Sequence, residues 1–174
     1  MTVYEILEQS DLIDWPVILV GWTERYVSRK NVIDWSVSWL TQHESEDCES
    51  IIALAGAEHD SDADIEIWLT AAAELKAGFN IKDSNAYALE KEKWRLAFLK
   101  SLQKERISDA EKINKLQELY ARFDYPEDMQ RCSKYGASDF AIEKGNAVQQ
   151  YIDPLEALAD VITQLESRHV PKNH

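Results

Sequence analysis

The spacing of the apolar residues constrains the fold more than any other feature, because they recur every three or four positions along much of the chain. Three stretches show the pattern: Val32–Trp39, Ile65–Ala72 and Trp94–Leu102. This interval places side chains on one face of an α-helix, whereas a half-buried strand would need strict alternation. The chain contains no Asn-Gly or Asp-Gly hairpin turn. The sequence therefore predicts an all-α fold of packed helices, about seven to nine in number, with no substantial sheet.

Residues that favour helix ends stand at the boundaries of these stretches. Ser and Asp side chains accept hydrogen bonds from free amides at a helix start, and Gly permits left-handed backbone at a helix end. The expected end residues are Ser28, Ser61, Gly78, Ser108 with its capping-box partner Glu111, and Asp153 followed by Pro154. Shorter helices are expected at about 2–9, 16–26, 47–55 and 126–133.

The length of 174 residues suits one domain with a core of its own, so we expect a single helical domain over 1–174. Within it, an irregular loop is expected at about 133–150 and a frayed tail at about 168–174. The corner at Asp124, Tyr125 and Pro126 is expected to be a structural turn with Tyr125 packed. The residues expected on inner faces are Trp35, Trp39, Trp94, Phe98, Tyr120, Phe123 and Leu158.

Motifs that would indicate catalysis or a metal site are absent from the sequence, including His-Glu-x-x-His, Cys-x-x-Cys and a glycine-rich phosphate loop. Asp60, Asp62 and Asp64 alternate like the first ligands of an EF-hand. However, Ile65 stands where that loop needs Gly, and Ala71 stands where it needs a bidentate Glu. We therefore expect no catalytic residue, no bound metal and no cofactor, and interpret the protein as one that is not an enzyme.

The expected compartment is the cytoplasm. No apolar run approaches the roughly 20 residues that cross a bilayer, and Met1–Glu8 does not resemble a secretion signal. Cys48 and Cys132 are the only cysteines, and we expect two reduced thiols rather than a disulfide.

The charge of the chain is strongly negative and unevenly placed. There are 32 Asp and Glu against 19 Lys and Arg, a net charge of −13. Residues 1–87 hold 17 acids and 5 bases, whereas residues 88–174 hold 15 acids and 14 bases. Such a chain repels nucleic acid and anionic membranes, because binding either one depends on neutralising phosphates. Such a chain would attract a basic protein as its partner, and solubility alone is the other explanation of the charge.

Nine acids and no Lys or Arg occur between residues 44 and 66, and we name this segment the acidic stretch. Its acids, which are the predicted partner-binding residues, are Glu44, Glu46, Asp47, Glu49, Glu58, Asp60, Asp62, Asp64 and Glu66. The apolar run Ile51–Ala57 between them is expected to form a buried helix. Two interpretations stay open: a solvated face whose acids favour helix starts, or a docking surface for a basic protein. Like charges packed so closely repel, and no base within the stretch relieves the cost.

Two further stretches, Ile13–Leu40 and Lys93–Met129, carry a shared set of packing and turn residues. These are Trp15, Gly21, Trp22, the run Val32–Trp35, Lys93, Trp94 and the run Phe123–Glu127. Together they resemble a bacterial family of uncharacterised small helical domains that is grouped with the immunity proteins of polymorphic toxin systems. The family supplies no catalytic residue to carry over to this chain.

The resemblance implies a cytoplasmic antidote of contact-dependent growth inhibition, which binds a cognate toxin domain and blocks it. A nuclease is the expected kind of toxin, because its cleft is basic in order to hold phosphates. An acidic inhibitor could occupy such a cleft, although an antidote can also bind away from the active site. The alternative is an adaptor or structural protein that binds a basic endogenous partner. An enzyme of unknown activity is the third possibility.

Overall fold

The computed structural model describes residues 1–133 and 153–170, which hold eight α-helices, two short 3-10 helices and no strand. The all-α prediction is therefore confirmed. The α-helices are α1 (Val3–Gln9), α2 (Trp15–Thr23), α3 (Arg29–Gln42), α4 (Glu49–Ala55), α5 (Asp62–Ala77), α6 (Ser84–Lys104), α7 (Asp109–Arg122) and α8 (Pro154–His169). The 3-10 helices are Ala57–His59 and Glu127–Cys132.

The described residues group into two compact units. The N-terminal unit is Val3–Trp94, and the C-terminal unit contains Met1–Thr2 and the described residues from Arg95 onward. The division falls inside α6. The single domain over 1–174 stays a prediction. Of the expected loop at 133–150 and tail at 168–174, residues 134–150 and 171–174 lie outside the described residues, and α8 continues to His169.

The helix-end residues act as the sequence predicts. Ser61 begins α5 by accepting a bond from the amide of Asp64 at 3.1 Å. Gly78 ends the same helix with a φ of 62°, a left-handed conformation that suits glycine. Reciprocal capping boxes form at Ser28 with Asn31 and at Ser108 with Glu111. These bonds satisfy amide groups that have no partner inside the helix, so local sequence fixes where these helices start.

Helix α2 is buried along almost its whole length and forms the centre of the N-terminal unit. Its residues Val17–Val20 are fully buried, and Trp15 is 2% exposed. A helix that is apolar on every side must be covered on every side. Helix α5 packs against it, and α4 in turn packs against both α3 and α5.

Gly21 of α2 lies directly against Trp94 of α6. The Trp94 side chain is fully buried, and its indole Nε1 donates a hydrogen bond to the carbonyl oxygen of Val17 at 2.8 Å. A Cβ at Gly21 would lie 2.4 Å from Cζ2 of Trp94, closer than atoms can pack. Glycine is therefore required at this position by the close approach of the indole ring rather than by backbone conformation.

The C-terminal unit contains an ion pair whose guanidinium is buried. Arg95 is 6% exposed, and its two terminal nitrogens bind the two oxygens of Asp128 at 2.5 and 2.8 Å. This bidentate geometry provides the pairing that a buried guanidinium needs. The 3-10 helix Glu127–Cys132, which carries Asp128, packs against α7 and α8. In that helix burial raises the pKa of the Cys132 thiol to about 12, so the thiol stays protonated near neutral pH.

The residues expected on inner faces divide into a buried set and a half-buried set. Trp94 and Phe123 are buried as predicted, and so is the aliphatic Leu158. The half-buried residues are Trp35, Trp39, Phe98 and Tyr120. They lie at the edge of the core and make ring contacts, such as the edge-to-face pair of Phe98 with Phe123 at 5.8 Å.

The prediction that Tyr125 packs into the structure is wrong, because this residue is 64% exposed. Asp124 and Tyr125 both have left-handed backbone, with φ values of 58° and 54°. Their amides close the end of α7 by bonding to the carbonyls of Ala121 and Tyr120. The corner is thus a structural turn, as expected, but it leaves most of the Tyr125 ring in solvent, with an edge contact to Tyr120 at 5.0 Å.

We predict that Gly21→Ala destabilises the protein by about 3 kcal/mol, because the added methyl group must displace a fully buried indole. The measurement is the urea denaturation midpoint. Gly56→Ala is the matched control, since the nearest atom to its added Cβ is the carbonyl oxygen of Ala53 at 3.9 Å. It should cost less than about 1 kcal/mol. Equal midpoints for the two variants would contradict the packing constraint.

Candidate docking surface

Most acids of the acidic stretch point into solvent. Seven of the nine belong to exposed residues, whereas Glu46 and Asp60 are half-buried. The exposed acids are Glu44, Asp47, Glu49, Glu58, Asp62, Asp64 and Glu66. These seven predicted partner-binding residues are therefore exposed within the N-terminal unit.

Glu46 is one of the two half-buried acids, and its carboxylate is held inside the fold. Only 5% of its side chain is exposed, and one oxygen lies 2.7 Å from Nζ of Lys76. The indole of Trp39 donates to that carboxylate at 2.9 Å, and the backbone amide of Cys48 donates to it at 3.0 Å. The bond from Lys76, followed by the one from Trp39, lowers the pKa of Glu46 from 4.5 to about 2, and the same pairing raises the pKa of Lys76. Glu46 thus fastens the segment between α3 and α4 to the end of α5.

Arg29, the first residue of α3, holds the segment that leads into α5. Its Nη2 lies 2.6 Å from Oδ1 of Asp62. Its Nη1 donates to the carbonyl oxygen of Ala57 at 3.0 Å and also to that of Asp60. One guanidinium therefore satisfies two backbone carbonyls and one carboxylate at the 3-10 helix Ala57–His59.

The repulsion that no base within the acidic stretch relieves is relieved in part by bases from elsewhere in the chain. The relief comes from Arg29 and Lys76, two bases that lie outside the stretch in sequence and meet it in space. No feature of the stretch itself predicts them, because the contacts join residues 30 and 33 positions apart.

After these pairings, six exposed acids have no ion pair in the described part of the chain. We name this set the acidic surface: Glu44, Asp47, Glu49, Glu58, Asp64 and Glu66. Two members have a structural reason to be acidic, since Glu49 and Asp64 lie in the first turns of α4 and α5. The other four do not lie within the first turn of an α-helix.

The apolar run inside the stretch is buried on one side only. Ile51, Leu54 and Ala57 are fully buried, whereas Ile52 is 51% exposed. The expected buried helix is thus an amphipathic one, whose outer side lies between acids at both ends.

Helix α5 exposes two aliphatic residues that the sequence interpretation did not single out. Ile67 is 62% exposed and Leu75 is 67% exposed. The apolar stripe that predicts α5 contains Ile65, Leu69 and Ala72, which lie on its buried side. The signal for the outer residues was their own helical spacing, because positions 67, 71 and 75 follow each other at intervals of four.

Within residues 1–133 and 153–170, no three His, Cys, Asp or Glu side chains are grouped so that they could hold a metal ion. Both cysteines are free and buried. No helix in this part of the chain is long and apolar enough to cross a membrane.

We predict that Glu46→Gln lowers the free energy of unfolding at neutral pH, because the bond to Lys76 loses its charge. A carboxyl group whose pKa is lowered by folding stabilises the protein above its unfolded pKa, and that stabilisation is lost as the group protonates. The difference between wild type and variant should therefore be constant above about pH 5 and shrink as the pH falls toward 2. The measurement is urea denaturation over this pH range.

The matched control for this experiment is Glu44→Gln, which changes an exposed acid that has no ion pair among the described residues. It should have little effect on the free energy of unfolding at any pH. A difference between wild type and Glu46→Gln that does not change with pH would contradict the assigned role.

Comparison with known proteins gives a family but no individual relative. Neither the curated proteins nor the solved structures contain a significant match to the chain. A family model matches residues 4–166, which include the acidic stretch, Gly21 and Trp94. Because that match covers nearly the whole sequence, the chain belongs to the family described as an uncharacterised protein conserved in bacteria (DUF2247).

Proposed function

We propose that this protein is an immunity protein that binds a cognate toxin domain, a nuclease, and neutralises it through the acidic surface. The observation that carries the proposal is that six exposed acids without ion pairs among the described residues lie within 23 positions of one unit. A nuclease cleft is lined with bases because it holds phosphates. A surface of carboxylates is attracted to such a cleft and can take the place of the phosphates there.

The family and the charge support the proposal in different ways. The bacterial family agrees with an antidote that acts inside bacteria. The link to toxin systems comes from the resemblance of Ile13–Leu40 and Lys93–Met129 to domains grouped with immunity proteins. The charge distribution suggests which side of the molecule binds, since the N-terminal unit carries nearly all of the excess negative charge.

An adaptor for a basic endogenous protein would use the same surface, so protection of cells separates the two functions. The proposal predicts that a gene next to this chain's gene encodes a toxin domain. That domain is expressed from an inducible promoter, with and without the chain. We expect growth to stop without the chain and to continue with it. Growth arrest in both cases would overturn the immunity proposal and favour the adaptor.

We predict that reversing three acids of the acidic surface slows association with that toxin domain. The variant is Glu44→Lys, Glu58→Lys and Glu66→Lys, which spares Glu46, Asp60 and Asp62 because these acids or their backbone contact Lys76 or Arg29. The association rate should fall roughly tenfold or more at low salt, because charge complementarity governs encounter. In the wild type the rate should fall steeply as salt is added, since screening acts beyond about 8 Å at physiological ionic strength. Surface plasmon resonance at two salt concentrations measures both effects.

The matched control is Glu118→Lys, Glu127→Lys and Asp160→Lys in the C-terminal unit. These are also exposed acids without ion pairs among the described residues, and the net charge changes by the same amount. The control should therefore change the association rate much less. Equal effects of the two triple variants would show that only net charge matters and would remove the acidic surface from the interface. Circular dichroism checks that both variants stay helical.

A further inference from the structure

The outer face of α5 carries three apolar residues spaced four positions apart, which we name the α5 ridge: Ile67, Ala71 and Leu75. Ile67 and Leu75 are 62% and 67% exposed, and Ala71 is half-buried. The spacing of four residues stacks their side chains along one line of the helix. The ridge lies on the side of α5 opposite the buried stripe that contains Ile65 and Leu69. No rotation of the helix about its axis could therefore bury the ridge and the stripe together.

A single exposed aliphatic residue is ordinary on a protein surface and needs no explanation. The α5 ridge differs because its two large members are more than half exposed and are aligned through an alanine. Removing these aliphatic groups from water would favour association.

Acids border the ridge within its own helix. Asp64 lies one turn before Ile67, and Glu74 directly precedes Leu75. Both residues are exposed, and neither has an ion pair in the part of the chain that the structure describes. An apolar centre with a charged margin is the usual composition of a protein–protein interface.

We propose that the α5 ridge is the contact centre of the docking surface and receives an apolar patch on the partner that is bordered by Lys or Arg. The charge of the margin decides between a basic partner and a second copy of this chain. Two copies meeting on this face would bring one acidic margin against another, and such like charges repel. The inference rests on the proposed function for the identity of the partner, which is the toxin domain.

The ridge and the acidic surface then control different steps of binding. Exposed charges act at a distance and mainly change the association rate, whereas desolvated apolar contacts form late and mainly change the dissociation rate. A variant that removes the ridge without changing charge should therefore affect dissociation alone.

The test uses the full chain with Ile67→Ser and Leu75→Ser, and the toxin domain encoded next to its gene as the immobilised probe. The dissociation rate should rise roughly tenfold or more, while the association rate stays within about twofold of wild type. The matched control is Leu89→Ser, which removes an aliphatic side chain that is 54% exposed on α6. The control should leave both rates unchanged, and circular dichroism checks the fold of each variant.

The outcomes separate this inference from the proposed function. Failure of the wild-type chain to bind the probe would overturn the proposed function, and the inference with it. Binding by the wild type with the same dissociation rate for the double variant would overturn the inference alone. Sedimentation velocity tests whether a second copy of this chain covers the ridge instead. A wild-type dimer that is lost in the double variant would assign the ridge to a second copy. A wild-type monomer supports the basic partner.

Discussion

The contact between Gly21 and Trp94 is the constraint on which the N-terminal unit depends. The indole ring reaches the backbone of α2 because Gly21 has no Cβ, and its Nε1 bonds to the carbonyl of Val17. Helix α2 needs cover on every side. Trp94 supplies part of that cover, although it lies 77 positions from Val17 in sequence. Helix α5, whose buried residues include Ile65 and Leu69, also packs against α2. The exposed residues Ile67 and Leu75 lie on the opposite side of α5.

The fold also determines which acids stay available to a partner. The carboxylate of Glu46 pairs with Lys76 and accepts hydrogen bonds from Trp39 and the amide of Cys48. The carboxylate of Asp62 pairs with Arg29. These bonds hold the segments before α4 and α5 in place, so neighbouring acids project from a fixed backbone. A charged surface on a fixed backbone loses less conformational entropy on binding than the same charges on a flexible chain. The internal ion pairs and the exposed acids are therefore parts of one arrangement.

The features that the sequence predicted correctly are those set by local interactions. Helical faces follow from spacing, and the caps at Ser28, Ser61 and Ser108 follow from hydrogen bonds within four residues. The contacts of Glu46 and Asp62 escaped prediction because each joins residues at least 30 positions apart. Tyr125 escaped for another reason: its aromatic ring suggested burial, but two successive residues in left-handed backbone end α7 and leave the ring in solvent.

In the proposed antidote, charge and apolar contact contribute differently to recognition: charge attracts basic proteins, and apolar contact discriminates between them. An acidic surface alone attracts many basic proteins, including those that bind the cell's own nucleic acids, since its field does not depend on detailed shape. Discrimination requires contacts that form only when two surfaces fit, and apolar groups that exclude water meet that requirement. The α5 ridge offers such contacts at the point where the acidic stretch ends, because Glu66 and Ile67 are neighbours in sequence. A partner drawn in by the acids and shaped to cover the ridge would be retained, whereas a basic protein without a matching patch would dissociate quickly.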